Sequence, residues 1–180
     1  MALNWTMTSG NGSPIPLPHE ITICAIDSGA DLKLSVPAAG SSAAKSLQAT
    51  GRVYLTDKRL IFISHTSPKP AFDSLTVPLH AITSTKFEQP TFGSNYLAFA
   101  VRPSSEGGLT EGTTGELRFK DRAMFEFVAL LEKTRERAIY MARQMEADDE
   151  NLPTYTSPAE ASSVSFMGGV PVDNPPGYDA

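Results

Sequence analysis

The run Gly51-Arg-Val-Tyr-Leu-Thr-Asp-Lys-Arg-Leu-Ile-Phe-Ile-Ser64 leaves this chain few folds to choose from. Two β-rich stretches, Arg52 to Leu55 and Leu60 to Ser64, flank the polar tetrad Thr56, Asp57, Lys58 and Arg59. An Asp carboxylate bonds nearby backbone amides and so favours turns; the pattern predicts a tight antiparallel hairpin. Successive side chains of a strand point to opposite faces. Val53 and Leu55 therefore share one face, and Arg52 and Tyr54 the other. Leu60, Phe62 and Ser64 share a face, opposite Ile61 and Ile63. A strand that is apolar on both faces must be covered on both, so the second arm is expected at the centre of a sheet.

Other strands follow on either side. Ile21 to Ile26 reads as a strand, Asp27-Ser28-Gly29 as a turn, and Leu32, Leu34 and Val36, alternating with Lys33 and Ser35, as a half-buried strand. Leu75 to Leu79, Ile82 to Phe87, Leu97 to Val101 and Glu116 to Lys120 complete the set, with an edge or bend expected at Pro78, which lacks an amide donor. Ser104 to Gly115 carries four glycines and reads as a mobile loop. Trp5 and Phe92 are expected to pack rather than to form a ligand cage.

The period then changes. Met124, Phe127, Val128, Leu131, Thr134 or Arg135, Ala138, Met141 or Ala142, and Met145 recur every three or four residues, the spacing of an amphipathic helix. It is predicted over about 122–146 with Asp121 as N-cap, ending before Asp148-Asp149-Glu150, whose charges oppose the dipole at a helix C-terminus. Arg135, Arg137 and Arg143 are expected in solvent. Strands closed by one terminal helix give a mainly β fold: a pleckstrin-homology-like barrel of two packed antiparallel sheets capped by a helix. The domain reading is an extended arm at 1–19, the domain at 20–146, and a disordered acidic Pro/Ser-rich tail at 147–180.

Charge and chemistry exclude several classes. Before residue 145 there are 15 Lys and Arg against 13 Asp and Glu; after residue 144 there are 7 acids and no base. A weakly basic body with an acidic tail does not suit duplex DNA, which demands many phosphate-neutralising cations. No apolar run approaches the ~18 residues of a membrane span. The lone Cys24 fits a reducing compartment and reads as core. Together these predict a soluble intracellular protein. His19, His65 and His80 are scattered without metal-ligand spacing. No serine sits in a nucleophile elbow. Neither catalytic residues nor a metal or cofactor is expected.

The hairpin at 51–64 resembles the signature hairpin of GRAM domains. Gln89-Pro-Thr-Phe-Gly-Ser-Asn-Tyr96 and the opening Met1-Ala2-Leu3-Asn4 narrow the likeness, so that the chain resembles the WW domain-binding protein 2 family across about residues 1–145. The resemblance implies a GRAM domain followed by a Pro- and Tyr-rich tail whose PPxY motifs bind WW domains, including those of Nedd4-type ubiquitin ligases and transcriptional co-regulators. It also implies a cytoplasmic and nuclear protein and transcription coactivation. This tail departs from the family pattern in carrying one full motif, without long polyproline blocks.

That motif is Pro175-Pro176-Gly177-Tyr178. Two prolines pre-set the polyproline II conformation, so docking costs little ordering entropy, and the tyrosine fills a second pocket. A partial motif, Leu152-Pro153-Thr154-Tyr155, reads either as a weaker second WW site or as linker. Arg52, Lys58, Arg59 and Lys69 read either as a phosphoinositide headgroup site, which would make the domain a membrane-binding module, or as solvated surface.

Overall fold

The computed structural model describes residues 2–38, 43–65, 70–104, 107–120 and 124–150, with the side chains of the helix to 144, and the backbone of 166–167 and 170–171. Asp121, the N-cap expected for the helix, lies outside the described residues.

Eight strands run in the order β1 (Ala2–Leu3), β2 (Thr22–Val36), β3 (Lys45–Thr56), β4 (Arg59–Ser64), β5 (Ser74–Pro78), β6 (Ile82–Glu88), β7 (Tyr96–Val101) and β8 (Thr114–Phe119). A 3-10 turn, Leu79–Ala81, joins β5 to β6, and the helix α1 spans Met124–Glu150. The hairpin forms as expected, with Leu55 opposite Leu60 and Val53 opposite Phe62. β4 lies between β3 and β5, a central strand. Ile61 is fully buried on one of its faces while Leu60 and Phe62 join the core on the other.

The two expected sheets are halves of one. All eight strands form a continuous antiparallel sheet in the order β1-β5-β4-β3-β2-β8-β7-β6. It folds over on itself, so that Leu32, Val53, Leu60, Phe62, Leu75, Phe99 and Leu117 from both halves close on one another around a void of only about 10 Å³. That leaves room for no more than one water in this interior pocket.

Asp27-Ser28-Gly29 is not a turn. β2 runs straight through it as a β-bulge, with the register against β3 shifting between Ile26 and Ala30 and Gly29 at φ +73°. A bulge and a turn demand the same local residues; here the flanking runs pair with the same neighbour, which a bulge permits and a turn does not. Past the bulge, Ala30 to Ser35 pairs with β8 as well as with β3. Pro78 ends β5 opposite Arg59, at the predicted bend.

The loop after β7 is anchored where it is described. Leu109 and Thr113 are buried, the Thr113 hydroxyl donates to the Thr110 carbonyl at 2.6 Å, and β8 begins two residues earlier than expected. Trp5 and Phe92 do not pack: they are 67% and 92% exposed. Aromatic size alone does not bury a side chain at a loop tip or on an arm.

α1 closes the folded sheet with Met124, Phe127, Val128, Leu131 and Thr134. Phe127 meets Phe119 of β8 edge to face at 5.0 Å. Burying each large apolar side chain stabilises the fold by about 1.5–3 kcal/mol. After Thr134 no described side chain of α1 is buried. The helix nonetheless continues to Glu150, four residues past the predicted end. The helix propensities of Met145, Glu146 and Ala147 outweigh a dipole penalty of about 0.3–1 kcal/mol. Arg135 is not a solvent residue. Its Nε and Nη2 donate to the carbonyls of Ile82 and Thr83 at 2.8 and 3.1 Å, covering polar backbone on the edge strand β6.

Residues 146–180 form a separate unit. Within the stretch expected to be disordered, Phe166–Met167 (β9) pairs antiparallel with Val170–Pro171 (β10).

Candidate functional site

The face of β3, β4 and β5 that turns away from the core carries Arg52, Tyr54 and Thr56, then Arg59, Ile61 and Ile63, then Ser74 and Thr76; the pairing sets Tyr54 beside Ile61 and Ile61 beside Thr76. Residues 2–20 lie across this face. β1 extends the sheet beyond β5, with Ala2 opposite Thr76 and Leu3 opposite Leu75. Asn4, in the left-handed conformation at φ +58°, accepts the amides of Asp73 and Ser74 on its Oδ1 at 2.7 and 3.2 Å. Thr6 shares a hydroxyl hydrogen bond with Thr76 at 2.7 Å. The segment then doubles back through a bridge between Thr8 and Pro14. Prolines that cannot join a ladder as donors are thus used in an arm fastened by its carbonyls and by side chains.

The arm's strongest fastening is Glu20. Its carboxylate accepts Arg59 Nε at 2.7 Å and Arg59 Nη2 at 2.9 Å, a two-pronged ion pair. It also accepts the Thr56 hydroxyl at 2.7 Å and the Leu17 amide at 2.6 Å. The Glu20 side chain is 1% exposed and that of Arg59 12%. Burial pushes the Glu20 carboxyl up, but the hydrogen bonds from Arg59, Leu17 and Thr56 and the Arg59 charge outweigh it, holding the group below its ordinary value.

Of the cations proposed from sequence, Lys58 and Arg59 both meet the arm, and Arg52 stands apart from them. Arg59 is committed to Glu20 and, through Nη2, to the Ile15 carbonyl at 2.9 Å. Lys58 Nζ donates to the Pro18 carbonyl at 2.7 Å. Arg52 lies on the same face but four residues along the pairing, about 13 Å away at ~3.3 Å per residue. Its Nη1 sits 3.4 Å from the Asn11 carbonyl. Lys69 lies outside the described residues, as do Leu152, Pro153 and Tyr155 and the whole of Pro175-Pro176-Gly177-Tyr178. Sequence reasoning missed Glu20. The available signal was its place as the first acid after eighteen residues with no charged side chain.

Between arm and sheet runs an open polar groove of about 510 Å³, lined by Asn4, Thr6 and Thr8 on the arm and by Arg52, His65 and Asp73 on the body. Among the described residues no cluster of three or more His, Cys, Asp or Glu stands close enough to hold a metal ion.

Comparison with known proteins gives this geometry its context. The family model of the GRAM domain matches residues 30–120, half of the chain. The expected kinship with the WW domain-binding protein 2 family is borne out. Human WW domain-binding protein 2 is 34% identical over 77 residues, 43% of this chain and 29% of that protein. The postacrosomal sheath WW domain-binding protein of Macaca fascicularis is 32% identical over 84 residues, 47% of this chain and 33% of that protein. The matches thus span about a third of the length of these two relatives. A stress-induced protein of Schizosaccharomyces pombe is 29% identical over 129 residues, 71% of this chain and 72% of its own. In three dimensions the chain resembles the Vps36 N-terminal PH domain, with a TM-score of 0.57 and 19% identity, over 77% of this chain and 96% of that one. That likeness bears out the pleckstrin-homology-like fold.

Proposed function

The chain belongs to the GRAM domain family, and from that premise we propose that it is a non-enzymatic adaptor whose Pro175-Pro176-Gly177-Tyr178 motif recruits WW-domain proteins. The observation that carries the reading is this tetrapeptide in a chain whose relatives are named for binding WW domains. Each part of it has a role. Pro175 and Pro176 hold the extended, left-handed helix that an aromatic groove accepts. Gly177 spaces the ring, and Tyr178 fills the adjoining pocket. Leu152-Pro153-Thr154-Tyr155 provides a weaker second site, because leucine fits the extended shape without being locked in it. Two engaged sites on one chain would raise avidity toward a partner with tandem WW domains. The partners are Nedd4-type ubiquitin ligases and transcriptional co-regulators, met in the cytoplasm and nucleus, where the protein acts as a coactivator.

The GRAM body is the scaffold of this adaptor. Its interior encloses no ligand-sized space at the one core void described, and two of its candidate lipid-binding cations, Lys58 and Arg59, hold the arm.

The test is calorimetric titration of the full chain with an isolated WW domain. Tyr178→Ala should weaken binding at least tenfold, and Tyr155→Ala should weaken it less. Undiminished affinity in the Tyr178→Ala variant would overturn the assignment. Phosphorylation of Tyr178 places charge on a ring meant for an apolar pocket and should weaken binding in the same assay.

A further inference from the structure

The arm is more than a fastening, because its two faces differ. Thr6 and Thr8 line the groove on the body side, while Trp5 and Met7, which alternate with them, are 67% and 75% exposed. On the returning half of the arm, the Ile15 amide donates to the Met7 carbonyl at 2.9 Å. The Thr8–Pro14 bridge and this bond set Met7 across from Ile15; the same pairing carried two residues further would bring Trp5 level with Leu17. Cross-strand partners share a face, and Ile15 and Leu17 are each 46% exposed. On this pairing four large apolar side chains fall on the outward side of a segment whose inward side is bonded to the sheet.

We propose that this patch of Trp5, Met7, Ile15 and Leu17 is a self-association surface that meets the same patch of a second copy of this chain about a two-fold axis. Three observations select that occupant. First, an isologous contact sets each group near its own like, and residues 1–18 contain no charged side chain; nothing in the patch repels itself. Second, side chains of these sizes and exposures present on the order of 500 Å², the size of the largest apolar patches on monomeric proteins. Two copies would together bury about 1,000 Å², the lower end of a specific interface. Third, the Arg59 charge beside the patch is neutralised by Glu20, and residues 1–18 add no cationic side chain. This weakens the electrostatic attraction that lets a small apolar patch hold an anionic lipid surface. The patch is also held ready. The bonds from Asn4, Thr6 and Glu20 to the body fix the backbone before any partner arrives, which lowers the ordering cost of association.

The molecule supplies its own probe, since Trp5 is its only tryptophan. Sedimentation equilibrium of the full chain over a concentration series should show a monomer passing to a dimer, with Trp5 emission shifting to shorter wavelength over the same range. Trp5→Ala should weaken the dimer at least tenfold. Met7→Glu, which sets like charges against each other at the axis, should abolish both the dimer and the emission shift. Both positions are exposed, so both variants keep the fold, checked by circular dichroism. A monomeric mass at every concentration would overturn the proposal, as would a dimer that neither substitution weakens. So would an emission shift produced only by vesicles of phosphatidylcholine and phosphatidylserine while the protein in solution stays monomeric, an outcome that would assign the patch to a lipid surface.

Discussion

Residues 4–20 and residues 135–144 both leave the core behind, and they are held by different forces. Beyond the alternation at residues 5–8 the arm has no regular periodicity, and most of its large side chains face solvent. Directional bonds fix it: Asn4 to the amides of Asp73 and Ser74, Thr6 to Thr76, and Glu20 to Arg59, Thr56 and Leu17. The far half of α1 is the reverse. Its repeat of apolar positions continues that of the first half, yet no described side chain there is fully buried; Ala138 packs partly against the core, and Arg135 bonds to β6. Periodicity tells what a segment becomes. Where that segment is attached depends on which polar groups find partners across the chain.

The sharpest way to break this contrast is within α1 itself. Leu131, fully buried, and Met141, exposed, both belong to the repeat of apolar positions along the helix. Leu131→Ala should cost about 2–5 kcal/mol, and Met141→Ala should stay within about 0.5 kcal/mol of wild type. Urea unfolding monitored by circular dichroism reads both; equal costs would mean that the far half of α1 is covered after all.

Glu20→Gln addresses the arm. It keeps the shape but loses the charge that meets Arg59, and should cost about 1.5–3 kcal/mol, the range for hydrogen bonds to charged groups. The carboxyl lies below its ordinary value of 4.5 in the folded protein, so the unfolded chain binds this proton more tightly. The group's contribution is therefore complete above about pH 4.5 and is lost as the pH falls through the lower folded value. The stability gap between wild type and Glu20→Gln should be widest near neutral pH and should narrow in acid below about pH 4.5. A gap that widens in acid would show that the ion pair is not what holds the arm.

Thr6→Val has the smallest expected effect, about 1 kcal/mol for one shared hydroxyl bond. Its clearer signature is local. Amide hydrogen exchange at residues 4–8 should quicken while exchange in β3 and β4 does not change.

The parts of the molecule that could be read from the sequence are those whose causes are local. Residues 51–64 announce their hairpin because alternation and a turn tetrad occur side by side, and Ile61 betrays a covered outer face because an apolar side chain there has no other use. The helix was legible for the same reason. Gly29 was misread because a bulge and a turn use the same positive φ; only the pairing of β2 with β3 and β8 separates them. Phe92 and Trp5 were misread because size reports what a side chain prefers, not whether a surface is there to receive it. In the site, Arg59 was noticed as a cation, but its partner stands thirty-nine residues earlier, and no short-range pattern connects the two. Arg135 was set in solvent because its helix position was known and the open carbonyls of Ile82 and Thr83 were not.

The Glu20 clasp also bears on the order in which the molecule assembles. The arm's partners, Arg52, Arg59, Ser74 and Thr76, belong to three different strands, and the Thr6–Thr76 bond spans seventy positions of chain. Such a docking surface does not exist until β3, β4 and β5 lie side by side, and closing so long a loop gains nothing before then. The arm must therefore wait, unattached, until these three strands have built its berth. During that interval the outward face of Ile61 stands open to water.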